Sequence, residues 1–386
     1  MIILADDLSG AAEVAGICRR FGRDAALTLG AAATGGEASR VEVIDTETRD
    51  LAPAEAAAAA RRLCPAALPG QLYKKTDSVL RGPVRAEIEA AMLRSGARLC
   101  LLVPCNPSRG RTIRDGVYYV DGVPLADSEF GLDPISPART SHVLDLLGPG
   151  ELPTVFVAPG GALPASGIVV GGAETTADMA GWARRLDETT LAAGAADFLA
   201  AILEVRGGEG GSSGASRQDA AVPPLPDGAW LLVSGSRSEA SHAALAALEA
   251  RAVPVMRVPA ADQGGWQTGA ARALSGAARG ALAIDRAASP EDPTQLLAAL
   301  CGAAAVIIAS REPAVLLAEG GATAAAVARR LGWTRFSVDG ELAPGVVVLR
   351  PHAAPRLRFV VKPGSYPWPP AVMTGLGTRT DVRPAP

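Results

Sequence analysis
Histidine, cysteine and aromatic side chains are scarce here: 386 residues carry three histidines, five cysteines and only 4% aromatics. His142, His242 and His352 stand far apart, and Cys18, Cys64, Cys100, Cys105 and Cys301 lack paired Cys-x-x-Cys spacing, so no zinc site is read and no metal ligands are assigned. An odd, unpaired set of cysteines reads as small core residues in a reducing compartment. Charge of one sign is also missing. With 37 Lys and Arg against 40 Asp and Glu the net charge is −3, and without a basic stripe or aromatic platforms a nucleic-acid partner is not expected. No G-x-G-x-x-G follows the first apolar run and no G-x-x-x-x-G-K-[ST] loop occurs, which argues against an NAD-dependent dehydrogenase and a P-loop respectively. Two acids follow four apolar residues at the start, with no basic leader, and no window is expected to reach the length of an uncharged membrane span. A cytoplasmic protein without a membrane partner is the expectation.

What is present is 48% hydrophobic and 20% charged, ample for two or three domains. Apolar runs at 1–5, 24–29, 41–45, 99–103, 153–158 and 167–170 alternate with helical patterns at 9–21, 52–63, 83–95 and 175–204, a rhythm that predicts a mostly parallel sheet covered by helices. Asp121-Gly122 between β-rich flanks is a hairpin signal. Residues 207–228 turn abruptly to glycine, serine and proline, a linker composition. Beyond them strands are expected near 230–234, 254–258, 281–285, 304–309, 345–349 and 358–362, with a helix over 321–331 and little regular structure at the end of the proline-rich tail that starts at Pro363. The predicted fold is α/β: two α/β domains, 1–206 and 229–386, each a mostly parallel sheet flanked by helices, with a cleft between them and 207–228 as the joint.

Chemistry concentrates in two places in the first half. Tyr73-Lys74-Lys75-Thr76-Asp77-Ser78-Val79-Leu80-Arg81-Gly82 places cations, a carboxylate and a hydroxyl between an apolar strand and a helix. Ser78 to Gly82 is expected at that helix's N-terminus, where N–H groups attract anions, and Arg81 can clamp a carboxylate through two parallel bonds. A structural Asp77–Arg81 ion pair is the alternative. Ile2-Ile3-Leu4-Ala5-Asp6-Asp7-Leu8-Ser9-Gly10 puts two adjacent acids at a strand's C-terminal end, where open α/β sheets bind ligands, although an acidic helix cap would use the same residues. In the second half, Ser234-Gly235-Ser236-Arg237-Ser238-Glu239 turns from strand into helix at capping-box spacing, and Glu319-Gly320-Gly321-Ala322-Thr323 sets glycines and a hydroxyl before a helix, a cradle for phosphate oxygens.

These blocks, with Asp45-Thr46-Glu47-Thr48-Arg49, Gly110-Arg111-Thr112, Gly122-Val123-Pro124-Leu125 and Asp133-Pro134 in the same order, resemble the four-carbon acid sugar kinase family, whose pattern reads roughly ADDLTGA, DTESR, KKIDSTLRG, GRT and GVPL…DP. The resemblance implies an ATP-dependent kinase for the terminal hydroxyl of a threonate, erythronate or 3-dehydrotetronate, with ATP and Mg2+ as cofactors. It implies Asp7 and Asp77 as catalytic, Asp6, Lys74, Lys75, Ser78, Arg81 and Gly82 as substrate-binding, and Ser236, Gly320, Gly321, Ala322, Thr323 and Gly364 as nucleotide-binding. A homo-oligomer is compatible with the sequence, which leaves the oligomeric state open. Two departures stand out: Ala322 replaces the acid of the family's GGDT or GGET, and Pro363 and Pro367 replace a serine and a glycine of KSGNFG. They motivate an alternative, a member that binds an acid sugar and has lost or altered phosphotransfer.

Overall fold
The computed structural model describes residues 1–30, 40–65, 69–132, 137–209, 222, 224–259, 265–285 and 293–377. The chain divides into two compact units, Met1–Asp219 and Ala220–Pro386. Most of the expected joint at 207–228, and the Asp133-Pro134 pair, lie outside the described residues.

In the N-terminal unit the strands are β1 (Ile2–Ala5), β2 (Ala25–Leu29), β3 (Val41–Asp45), β4 (Leu72–Lys75), β5 (Leu99–Val103), β6 (Arg111–Arg114), β7 (Val117–Val120), β8 (Val123–Pro124), β9 (Thr154–Val157), β10 (Gly167–Gly171) and β11 (Thr190–Gly194). Its helices are α1 (Leu8–Arg20), α2 (Pro53–Leu63), α3 (Val84–Ser95), α4 (Val143–Leu147), α5 (Thr176–Ala183) and α6 (Ala196–Glu209). The main sheet runs β2-β3-β1-β4-β11-β5-β10-β9 with every neighbouring pair parallel. Runs such as Ile3-Leu4-Ala5 and Leu101-Leu102-Val103 are buried throughout, as strands covered on both faces require. The chain leaves β1 toward β2 and β3 on one side, then returns to β4 on the other, so a topological switch point lies at the C-terminal end of β1. Ala5 pairs with both Asp45 and Lys75, which puts residues 6, 46 and 76 together at that end. The separate ribbon β6-β7-β8 contains the predicted hairpin: Asp121 (φ 50°) and Gly122 (φ 81°) form a two-residue turn with both φ angles positive.

The C-terminal unit orders β12 (Trp230–Ser234), β13 (Val255–Val258), β14 (Arg279–Ile284), β15 (Val315–Glu319), β16 (Arg335–Ala343), β17 (Val346–Pro351) and β18 (Arg358–Lys362) as β13-β14-β12-β15-β18-β17-β16. The first five are parallel, and β17 is antiparallel to β18 and β16. Helices α7 (Glu239–Glu249), α8 (Trp266–Leu274), α9 (Pro293–Arg311), α10 (Gly321–Arg330) and α11 (Pro370–Gly377) complete it. Trp230, Leu232, Leu248, Leu317, Val360 and Leu376 share its core.

Three expectations need correction. The run at 304–309 is the interior of α9, since a short apolar run reads alike in a strand and a buried helix. The pattern at 175–204 is α5 and α6 with the central strand β11 between them. Finally, the window Thr294–Arg311 is long and apolar enough to cross a membrane by length and composition; half of it is buried inside the unit, where α9 packs on α8, α10 and β14. The end of the proline-rich tail, beyond residue 377, lies outside the described residues; before it, α11 buries Val372 and Leu376. The five cysteines are free and buried, as read.

Candidate active site
Parallel pairing continues past the strand ends and builds the first cluster. Thr46 N–H bonds Ala5 O (2.7 Å), and the N–H groups of Thr48 and Arg49 bond Asp6 O (3.0 and 3.2 Å), so the segment after β3 is strapped across the end of β1. Arg49 is thereby delivered to three carboxylates. Its Nε donates to Asp6, its Nη2 lies 3.1 Å from Asp7 and its Nη1 3.2 Å from Asp77. Gly82, with φ +85°, is needed for this arrangement, because a Cβ there would sit 2.8 Å from Arg49 O. That close backbone approach, rather than a substrate contact, is what the geometry explains about Gly82.

Asp7 is at once a helix cap and a member of the cluster. Its Oδ1 accepts from Gly10 N–H (2.8 Å) and its Oδ2 from Ser9 Oγ (2.7 Å), satisfying a donor at the start of α1. At 19% it is also the most exposed of the three carboxylates, against 1% for Asp6 and 7% for Asp77. Asp77 is gripped by Arg81, with Nε to Oδ2 at 3.0 Å and Nη2 to Oδ1 at 2.9 Å, and accepts from Val79 and Arg81 N–H as well. Burial would raise Asp77, but the charges of Arg81 and Arg49 outweigh it and hold the group well below the usual carboxylate range. Asp6 is lowered by the same contest, burial against Arg49 and Lys74. Asp45 at the end of β3 goes the other way: burial, then the charge of Asp7, push its carboxyl well above the usual carboxylate range.

Two residues expected to bind substrate are turned inward instead. Lys74 is 1% exposed and pairs with Glu87 at 2.9 Å, with Thr48 Oγ1 also donating to that carboxylate. Burial raises Glu87, and Lys74 offsets part of the rise. Lys75 donates to Thr76 O (2.9 Å) and lies 3.6 Å from Glu13, beside Gly10. The alternation of a strand sends these neighbours to opposite faces, where helices cover both. Ser78 is similarly committed, its Oγ accepting from Arg111 and its carbonyl from Tyr118 OH. The turn from Ser78 to Gly82 precedes α3, which begins only at Val84 with Pro83 as its cap, so its N–H groups are not those of the helix terminus. Arg111 and Arg81 both lie against the Phe130 ring (5.3 and 5.8 Å). Arg49 and Arg111 were legible as motif residues, yet nothing local in the sequence aimed them at this cluster.

The residues read as nucleotide-binding converge in the C-terminal unit. Gly320 (φ 95°) caps α10 without a side-chain bond, its N–H held by Lys362 O (2.8 Å). A Cβ on Gly235 would collide with Thr323 Oγ1, and one on Gly364 would lie 3.7 Å from Ser236 Oγ, so the 234–236 loop meets the start of α10 and the 363–366 loop meets Ser236. Ser238, not Ser236, caps α7, and Ser236 Oγ donates to it (3.1 Å). Beneath the loops Glu319 is saturated: Oε1 takes Lys362 (2.8 Å), and Oε2 takes Ser234 Oγ (2.9 Å) and Ser241 Oγ (3.0 Å). Lys362 also donates to the carbonyls of Pro363 and Tyr366, stapling the 363–366 loop, and burial lowers its pKa despite Glu319. Arg311 is bound to the Leu274 and Ala277 carbonyls. Glu319 and Arg311 are thus both held by local partners.

Residues 1–202 match the family described as "Sugar-binding N-terminal domain" and residues 231–366 the one described as "Nucleotide-binding C-terminal domain". The chain is 31% identical to D-threonate kinase of Cupriavidus necator over 95% of its own length and 94% of the relative. It is 40% identical to D-threonate kinase of Bordetella bronchiseptica over 160 residues, a match that spans only 39% of either chain. A crystal structure of a Salmonella typhimurium protein superposes with a TM-score of 0.76 over 97% of this chain and 98% of that one; at 18% identity it shows the fold alone. The chain belongs to the four-carbon acid sugar kinase family, and with it to the phosphotransferases that take an alcohol group as acceptor.

Proposed function
We propose that the chain transfers the terminal phosphoryl group of ATP to the terminal hydroxyl of a four-carbon sugar acid. The observation that carries this reading is the convergence of Asp6, Asp7, Arg49, Asp77 and Arg81 at the switch point of a parallel sheet. Relatives named D-threonate kinase, 3-oxo-tetronate kinase and D-erythronate kinase support the acceptor class and leave its stereochemistry to assay.

Phosphoryl transfer asks mainly for positioning and charge compensation. Arg81, one-third exposed, and Arg111 hold the substrate carboxylate in place of the buried lysines. Asp7 orients the terminal hydroxyl and receives its proton, with Arg49 and the N-terminus of α1 fixing the carboxylate. Asp77 is a positioning residue that aims Arg81. When bound, ATP supplies the phosphoryl group. Ser236, Gly364 and residues 320–323 fit its phosphates, since small residues and a helix start let oxygens approach the backbone. Among the described residues no group of three or more His, Cys, Asp or Glu could hold a metal. The residues present therefore do not build a protein cage for Mg2+, an ion that usually rides on substrate phosphates with one or two carboxylates.

Ala322 favours a second reading, an acid-sugar-binding member without phosphotransfer, because Glu319 and Arg311 are already committed. ADP release against D- and L-threonate, D- and L-erythronate and their 3-oxo forms decides between them. Turnover on one acid, with KM raised about 10- to 100-fold in Arg81→Ala through loss of a charged hydrogen-bonding pair, is expected. A sugar acid bound calorimetrically without turnover supports the second reading and overturns the first.

A further inference from the structure
One aromatic ring of the N-terminal unit is buried against charges. Phe130 is 8% exposed and sits in the short helical turn Glu129–Leu132, where its N–H donates to Ser128 Oγ (3.3 Å) and its carbonyl accepts from Ala138 N–H (2.9 Å). The guanidinium carbons of Arg111 and Arg81 lie 5.3 and 5.8 Å from its centroid, both within the range at which the negative face of a ring attracts a cation. The two cations differ in how far their charge is met. Arg81 is gripped by both oxygens of Asp77. Arg111, half-buried at the start of β6, donates to the Ser78 hydroxyl, and no carboxylate among the described residues pairs with it. A partly desolvated cation with only neutral partners favours an anion beside it. Ser78 is itself pinned, because the buried Tyr118 OH donates to its carbonyl, so Arg111 is fixed at its hydrogen bond as well as at the ring.

We propose that Phe130 is a positioning residue for the acid sugar: its ring holds Arg111 and Arg81 against one platform, so that together they present a single site to the substrate carboxylate, with Arg111 supplying the charge that no protein carboxylate offsets. The inference rests on the reading of Arg81 and Arg111 as the carboxylate-binding pair. Two guanidiniums gathered at one place repel each other, and the ring quadrupole offsets part of that repulsion without neutralising either charge, as an acid in the same position would. An aliphatic side chain of similar bulk would fill the space and leave both forks free to turn away. Phe130 therefore acts on the preference for an acid over a neutral polyol, through the arginines and without touching the reacting hydroxyl.

The full chain is titrated by calorimetry with the six tetronates, and the tightest binder and its neutral carboxamide are then carried to Phe130→Leu, Phe130→Tyr, Arg111→Met, Arg81→Ala and the double variant of Phe130→Leu with Arg111→Met. Phe130→Leu keeps apolar bulk and loses the quadrupole; it should weaken the acid about five- to tenfold and leave the carboxamide within about twofold. Phe130→Tyr, which keeps the ring, should hold the acid within about twofold of wild type. Arg111→Met should weaken the acid about 10- to 100-fold. In that background Phe130→Leu should add no more than about twofold, since a residue that acts through another has little left to lose. Equal losses for acid and carboxamide, or the same loss with and without Arg111, would overturn the platform and leave the arginine reading standing. If Arg111→Met and Arg81→Ala both bind the acid as wild type does, the arginine reading fails, and if wild type binds none of the six acids the sugar-acid reading fails; the platform falls with either.

Discussion
Arg49→Met tests the electrostatic logic of the N-terminal cluster. Arg49 is the counter-charge shared by three carboxylates, two of them almost fully buried. Methionine keeps the stem and deletes the fork, leaving Asp6 with an oxygen, Oδ1, that already lacks a partner. Breaking a buried pair by removing one member costs about 3–5 kcal/mol, a large share of the about 5–15 kcal/mol that holds a typical protein folded. The loss depends on pH with a definite sign. In the wild type, the folded-state values of Asp6 and Asp77 lie below 3.8, so their contribution is complete above that pH and is lost as pH falls through the lowered values. In Arg49→Met burial prevails for Asp6 and lifts its folded-state value above the unfolded one. The deficit against wild type should then be full at pH 7.5 and smaller at pH 5. Urea unfolding followed through hydrogen exchange of the β1, β3 and β4 amides isolates the N-terminal unit, since a chain of two units need not unfold in one step. A deficit below about 1 kcal/mol, or one equal at both pH values, would refute the reasoning.

Lys74→Met alone should destabilise the N-terminal unit by about 3–5 kcal/mol, whereas Lys74→Met with Glu87→Leu should recover most of it, because an apolar pair can replace a buried ionic one; denaturant midpoints of the three proteins check this. Gly82→Ala forces φ +85° on a residue with a Cβ and presses on Arg49 O, so it should cost about 1–3 kcal/mol and lower turnover through displacement of Arg49, read as kcat against KM for the sugar acid. Burial pushes the thiols of Cys64 and Cys301 up to about 11 and Cys105 up to about 12, so none of the five cysteines should react quickly with a disulfide reagent at pH 8 until denaturant is added.

Much of the fold was legible because its signals are local. Continuous apolar runs mark β1, β5, β10 and β12, and Asp121-Gly122 could form little other than its hairpin turn. The central strand β11, Thr-Leu-Ala-Ala-Gly, was lost among alanines that favour helix by propensity and are placed in the sheet by their neighbours. In α9 the apolar residues run all round the helix, which hides its period. Among the candidate site residues, Asp7 and Arg81 could be singled out from motif position alone. The inward turn of Lys74 and the delivery of Arg49 could not, since the first depends on strand phase against α3 and the second on pairing between segments 43 residues apart.

The most direct test of the kinase account is the product itself. Wild type, ATP with Mg2+ and the six tetronates are incubated and the phosphorus spectrum is recorded with proton coupling. A new ester resonance split into a triplet by two protons, growing as ATP is consumed one for one, is the predicted result and marks phosphate on the terminal CH2–OH. A doublet, which would place the phosphate on a secondary alcohol, or inorganic phosphate as the sole product, would contradict it.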